Sequence, residues 1–195
     1  LSALEARTRA GAARELTAVL REVEVPSLLV THDFTEAAQL GDRVGVIDSG
    51  RVVQEGTPSE LAATPRSAFV ADFTGAVVLT GVAGGGPDGL TRVALDGGGE
   101  AISTDRAEGP VAVSVYPWEI EIEPPGEAHR GSAQNHLPAE VLSVTTVGNR
   151  VRIGLVASQP LAAEITQSSA ERLGLRAGSR VSARWKASAT RLLDL

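Results

Sequence analysis

The feature that most constrains this chain is a change of hydrophobic rhythm near Gly75. Before it, apolar residues return every three or four positions, the period of a helix laid on a core. After it, they alternate with small or charged residues, the period of half-buried strands. The chain is therefore expected to divide. An α/β part covers 1–75, and a mostly β, OB-like barrel part follows as two related units, 76–126 and 127–195.

In the first part, Leu16, Val19, Leu20 and Val23 fall at helical spacing within Glu5–Val23, an amphipathic helix. Ser27–Thr31 is a short apolar run bounded by Pro26, as expected of a buried strand, with His32 and Asp33 where it ends. A helix over Asp33–Leu40 should stop at Gly41 in a left-handed cap. Val44–Ile47 and Arg51–Gln54 flank Asp48-Ser49-Gly50 and read as a hairpin. Thr57-Pro58-Ser59-Glu60 carries an N-cap hydroxyl, a proline at the first helical position and a glutamate at the third. Thr64-Pro65 should open one more helix, ending near Gly75.

In the second part, glycine triplets at Gly84–Gly86 and Gly97–Gly99 punctuate the alternation. Val111, Val113 and Val115, then Ile120 and Ile122, read as strands. Pro124-Pro125-Gly126 begins a polar linker. Beyond it, strands are expected near Ala139–Val147, Arg150–Val156, Leu161–Ile165, Val181–Lys186 and Thr190–Leu193, with a short helix over Ser169–Leu173. The stretches Gly109–Ile122 and Gly178–Leu193 share a shape: a glycine, then two strands with an aromatic between them. That shape points to a duplicated β unit.

Composition closes off several functions. With a net charge of −6 and a single lysine, Lys186, the chain has no basic field with which to neutralise a nucleic-acid backbone. It has no cysteine, so disulfides, thiolate chemistry and cysteine-ligated zinc are excluded. No metal site is expected. It lacks an apolar run long enough to span a bilayer and a leader-like start, so a soluble piece is expected. It opens without Met inside a patterned segment, which reads as a fragment of a longer protein.

The run Leu28-Leu29-Val30-Thr31-His32-Asp33, then Glu36-Ala37, Asp42-Arg43-Val44 and Gly50 through Pro58, resembles the last third of an ABC-transporter ATPase domain. The resemblance makes His32 the switch histidine that meets the γ-phosphate of ATP. It also makes Ser2, Ala3 and Leu4 a D-loop that crosses a dimer interface to the partner's nucleotide, with Glu5 where the family has Asp. ATP and Mg would be cofactors of the parent subunit. No G-x-x-x-x-G-K-[ST] motif occurs, so a fragment of this extent is expected to be inactive alone.

From Gly131 onward the sequence resembles the molybdate-binding β domain (TOBE or Mop type) of molybdate importer ATPases. Ser132, Gln134 and Asn135 stand where that family has Ser-Ala-Arg-Asn, Gln134 replacing the arginine. Thr166, Ser168 and Ser169, and then Lys186, Ala187 and Ser188, match stretches lining the family's anion site. Hydroxyls and one ammonium suit a tetrahedral dianion such as molybdate, tungstate or sulfate. The resemblance further implies a homodimer, integral membrane permease partners and a place at the cytoplasmic face of the membrane. An importer ATPase for another solute, with a β domain that only braces the dimer, remains the alternative. A molybdate-responsive regulator would need a helix-turn-helix, which the sequence lacks.

Overall fold

The computed structural model describes residue 19 and residues 26–126 and 131–195, which form two compact units, Leu1–Pro65 and Arg66–Leu195. The D-loop residues Ser2, Ala3 and Leu4, and nearly all of the predicted helix Glu5–Val23, lie outside the described residues.

In the first unit, Ser27–Thr31 is irregular and its Leu28 and Val30 are exposed, not buried in a strand. A buried strand needs ladder partners on its flanks. The described residues of this unit offer only the two-stranded sheet β1 (Val44–Asp48) and β2 (Arg51–Gly56), which pair with each other. The hairpin turns through Ser49 and Gly50 at φ 48° and 75°. Two positive angles in succession make the type I′ reversal whose twist suits flanking strands. Helix α1 (Phe34–Leu40) is capped by the Asp33 carboxylate, which accepts from the Glu36 N–H. Its C-terminal Gly41 is extended, at φ −98°, not left-handed. Glycine suits the position for a different reason: a Cβ would lie a tight 3.1 Å from the carbonyl oxygens of Ala37 and Arg43. Helix α2 (Pro58–Ala63) has the full capping box, with Thr57 and Glu60 each bonding the other's backbone. Those bonds, the backbone one first, hold the Glu60 carboxyl below the usual carboxylate range.

The second unit opens with α3 (Ala68–Phe73), capped by Ser67, not by Thr64. The division between compact units thus falls ten residues before Gly75, and this helix goes with the β structure. The first five strands are β3 (Val77–Gly85), β4 (Thr91–Leu95), β5 (Glu100–Ser103), β6 (Gly109–Val115) and β7 (Glu121–Glu123). Then come β8 (Asn135–Val147), β9 (Arg150–Val156), β10 (Pro160–Thr166), α4 (Gln167–Arg172), β11 (Arg180–Trp185) and β12 (Arg191–Leu193). The unit is mostly β, two antiparallel sheets of five strands each in an OB-like arrangement.

The strand orders expose a duplication. One sheet runs β5-β4-β3-β6-β12 and the other β10-β9-β8-β11-β7. Adding five to the first four strands of the first order gives the first four of the second, so the two halves repeat one strand plan. Their last strands are exchanged. β12 pairs with β6, and β7 pairs with β11. The two inner faces share one core, which joins Leu79, Val93 and Val113 to Val141, Ile153, Leu155 and Trp185. Period-2 burial in β3, β4, β8 and β9 places these side chains inward and the alternating ones outward.

Candidate functional site

Each half makes one tight turn between its last two strands, and the turn of the second half holds Lys186, Ala187 and Ser188. In the second half β11 runs into a 3-10 turn, Ala187–Ala189, before β12. Trp185, 1% exposed, donates its indole N–H to Thr190 Oγ1 at 3.0 Å, and that hydroxyl donates to the Lys186 carbonyl at 3.1 Å. Thr190 Oγ1 also accepts from Asn135 Nδ2 at 3.0 Å. The other N–H of that amide goes to the Ile102 carbonyl at 3.0 Å, and Asn135 Oδ1 accepts from the Ile102 N–H. A side-chain amide here imitates a peptide and ties the head of β8 to β5. Ser103 Oγ donates to the Thr190 carbonyl at 2.7 Å, which fixes the Lys186 turn against the first half.

This arrangement sorts the residues expected to bind an anion. Ser132 and Gln134 lie exposed just before β8, on the same side as the Lys186 turn, since Asn135 pairs with Trp185. Lys186 and Ser188 are exposed in that turn, and Ala187 is buried beneath it. Asn135 is a clamp: both of its amide hydrogens are committed inside the fold. Thr166, Ser168 and Ser169 gather elsewhere, at the start of α4. There Thr166 Oγ1 accepts from the Ser169 N–H at 3.2 Å and donates to Ser169 Oγ at 2.9 Å. The β10 strand that delivers them packs on the 3-10 turn of the first half, Pro117–Glu119. The Lys186 turn packs instead on β5.

The first-half turn is the counterpart of Lys186–Ser188 in that repeated plan. Val115 ends β6 opposite Val77 as Trp185 ends β11 opposite Asn135, so Tyr116 and Trp118 occupy the places of Lys186 and Ser188. The two rings stack with centroids 4.4 Å apart and planes 12° from parallel. Tyr116 and Thr74 share a hydroxyl–hydroxyl hydrogen bond of 2.9 Å. Burial raises the Tyr116 phenol above its usual range, and the bond to Thr74 pulls it back in part.

His32 is exposed, in the first unit, directly before the α1 cap. Among the described residues no group of three or more histidines and acids could hold a metal ion. Sequence reasoning missed Thr190 and the 102–105 segment, which position the Lys186 turn. The signal was present in the matched shapes of Gly109–Ile122 and Gly178–Leu193, because equivalent turns must rest on equivalent strands.

The fold and its turns define a class. Residues 131–192 match the TOBE domain family, and this part of the chain is a TOBE domain. Across nearly all of its length the chain is also a relative of importer ATP-binding proteins. It is 35% identical to the molybdate/tungstate import ATP-binding protein WtpC of Pyrococcus abyssi over 97% of this chain and 53% of that protein. With the sulfate/thiosulfate import ATP-binding protein CysA of Burkholderia mallei it shares 33% identity over 93% of this chain and 50% of the other. An Fe(3+) ions import ATP-binding protein of Rhodococcus jostii is 36% identical over 79% of this chain and 41% of its own length. The chain spans about half the length of the curated relatives it matches. Among solved structures, the cytoplasmic molybdate-binding protein ModG in its molybdate-bound form aligns with a TM-score of 0.54 at 21% identity, over 61% of this chain and 96% of that one. At that identity the likeness establishes the fold.

Proposed function

We propose that this chain is the C-terminal part of the ATP-binding subunit of an ABC importer, and that its β unit takes a small oxyanion at the Lys186–Ser188 turn. The similarity to importer ATP-binding proteins across 97% of the chain carries the first half of this reading. For the second, the supporting observation is an exposed turn presenting one ammonium and one hydroxyl, on a fold shared with a molybdate-bound protein. Molybdate, tungstate and sulfate all fit that chemistry, since each offers oxygens that accept charge-assisted bonds. In the parent subunit His32 would meet the terminal phosphate of ATP, with Mg alongside, as an exposed imidazole able to donate to a phosphate oxygen. The working assembly is a homodimer of such subunits on membrane permeases, at the cytoplasmic face. No helix among the described residues is long and apolar enough to cross a membrane.

A second reading has its own support. The iron relative has as much identity as the molybdate/tungstate one, Gln134 brings no charge, and the Asn135 amide is spent on the fold. On this reading the transported solute is another, such as iron, a sugar or a polyamine, and the β unit only braces the subunit pair.

Thermal unfolding of the chain with molybdate, tungstate, sulfate or no anion separates the two. A ligand present at a hundred times its Kd stabilises by about 2.7 kcal/mol, a shift of several degrees. The oxyanion reading expects that shift with at least one of the three, and no shift with any of them leaves the bracing reading.

A further inference from the structure

We infer that two copies of this chain pair through the Leu142–Val147 run of β8, antiparallel and about a twofold axis, so that the sheet containing β8 in one copy continues into that of the other. The inference rests on the homodimer reading above and names the surface by which the pair is made.

β8 outlasts its neighbour on one side. β9 follows it as far as Val147, but the ladder with β11 ends at Glu140, opposite Arg180. One more exchange follows, the Val141 N–H donating to the Ser179 carbonyl at 2.9 Å and the Gly178 N–H to the Val141 carbonyl at 2.8 Å. The ladder with β9 then shifts register between Val141 and Ser143, a bulge of the kind that bends a strand. Beyond it, the edge of Leu142–Val147 that faces away from β9 has no ladder partner among the described residues. A row of strand N–H and C=O groups left in this state is a template for another strand.

This edge also lacks the protection that the outermost strands of both sheets carry. β5 holds Glu100, β7 holds Glu121 and Glu123, β10 holds Pro160 and Glu164, and β12 holds Arg191. Charges and prolines on an edge discourage pairing. Leu142-Ser143-Val144-Thr145-Thr146-Val147 has neither, and all six residues are exposed, Leu142 at 56%, Val144 at 42% and Val147 at 53%. Val144 stands opposite Ile153, a fully buried core residue, and so shares its face of the sheet. A strand added here would extend the cover of the core past the point where β11 stops.

The charges at the two ends of the run select a second copy as that strand. Glu140 precedes the run, exposed and bridged to no described residue, Arg180 included. After the run, Arg150 and Arg152 share the one carboxylate of Glu164, at 3.3 and 3.1 Å, so that end keeps a net positive charge. An antiparallel copy lays its Arg150 end along Glu140 and its Glu140 along the Arg150 end, and the twofold axis makes the match twice. Opposite residues in an antiparallel ladder both turn toward the partner or both away, so the axis must fall on a residue. The middle of the run puts it at Val144 or Thr145.

Sedimentation equilibrium of the whole chain measures the pair, with Val144→Lys setting like charges together near the axis and Val82→Lys as control. Val82 is 54% exposed but lies on β3, paired on both sides with Ala94 and Pro110. Circular dichroism verifies that each variant is folded. Like charges juxtaposed across an interface should raise the dimer dissociation constant roughly tenfold or more in Val144→Lys, with Val82→Lys pairing like the parent. Because the chain has no cysteine, Thr145→Cys adds one thiol beside the axis, and mild oxidation should link the copies there but not in Val82→Cys. A dimer that Val144→Lys leaves intact, that Val82→Lys weakens equally, or that Thr145→Cys fails to link overturns the inference, while the homodimer reading stands on another surface. If the parent chain is monomeric at every concentration, the homodimer reading fails and this inference with it.

Discussion

The two β halves share a strand plan and differ in what they put at the same turn. The second half closes with Trp185-Lys186-Ala187-Ser188, the indole buried and the ammonium in solvent. The first closes with Val115-Tyr116-Pro117-Trp118, the small side chain buried, the Tyr116 ring half-buried and the Trp118 ring exposed. A duplicated fold keeps what its core requires, which is an apolar residue at the end of the penultimate strand. In the turn beyond it the middle residue, Pro117 or Ala187, is buried, and the residues on either side of it differ in chemistry between the halves. Likewise the β5–β6 connection is a loop where the β10–β11 connection is a helix. The polar clamps also differ in depth. Asn135 is 1% exposed where it holds Ile102, whereas Gln159 is half-buried where it bonds the N–H and carbonyl of Thr80 at 2.9 and 2.8 Å.

The largest difference between the halves should lie at the buried ends of β6 and β11. Trp185→Ala removes a large core side chain and the donor to Thr190, and should cost about 4 kcal/mol in urea unfolding. Val115→Ala removes two methyl groups' worth of burial and should cost roughly 2 kcal/mol. Equal losses would break the contrast. Next come the clamps. Asn135→Ala strands the buried Ile102 peptide groups and Thr190, and should cost about 3 kcal/mol. Gln159→Ala lets water replace the lost bonds and should cost about 1 kcal/mol. If Gln159 proves the costlier of the two, burial does not set the ranking. The smallest effect is a titration. Because folding raises the Tyr116 phenol, its contribution to stability is fully present below the unfolded pKa of about 10 and is lost as pH rises through the folded value. Thr74→Val removes the hydrogen bond that lowers this pKa, so an ultraviolet titration should find the phenol ionising at higher pH still. A downward move would mean that the phenol is the donor in this bond, which then favours its neutral form.

How much of this the sequence disclosed depended on whether the signal was local. The hairpin at Ser49-Gly50 and the capping box at Thr57 and Glu60 were legible because each is complete within a few residues. The duplicated β unit was legible from the repeated glycine, strand and aromatic shape. Strands β3, β4 and β5 were hidden, since Gly84–Gly86 and Gly97–Gly99 dilute their alternation and their burial comes from partners distant in sequence. Ser27–Thr31 misled because an apolar run declares a wish for burial but not the neighbours that would grant it. The anion residues were chosen by local motif, and no local motif says that Thr166 and Lys186 sit on different turns. That separation arises from the exchange of β7 and β12, which pairs residues distant in the chain, from Ser182 with Glu123 to Leu193 with Ala112.

The same exchange bears on how this polypeptide is made. During synthesis β6 emerges well before the neighbour that covers its outer edge, Arg191–Leu193, which follows more than seventy residues later. Until then the first half exposes an open strand edge, the kind of surface on which nascent chains pair wrongly with one another. The sheet that begins in the first half is therefore completed only after the other has all of its strands, and a ribosome stalled before residue 191 would hold β7 to β11 in full while leaving β6 with an open edge.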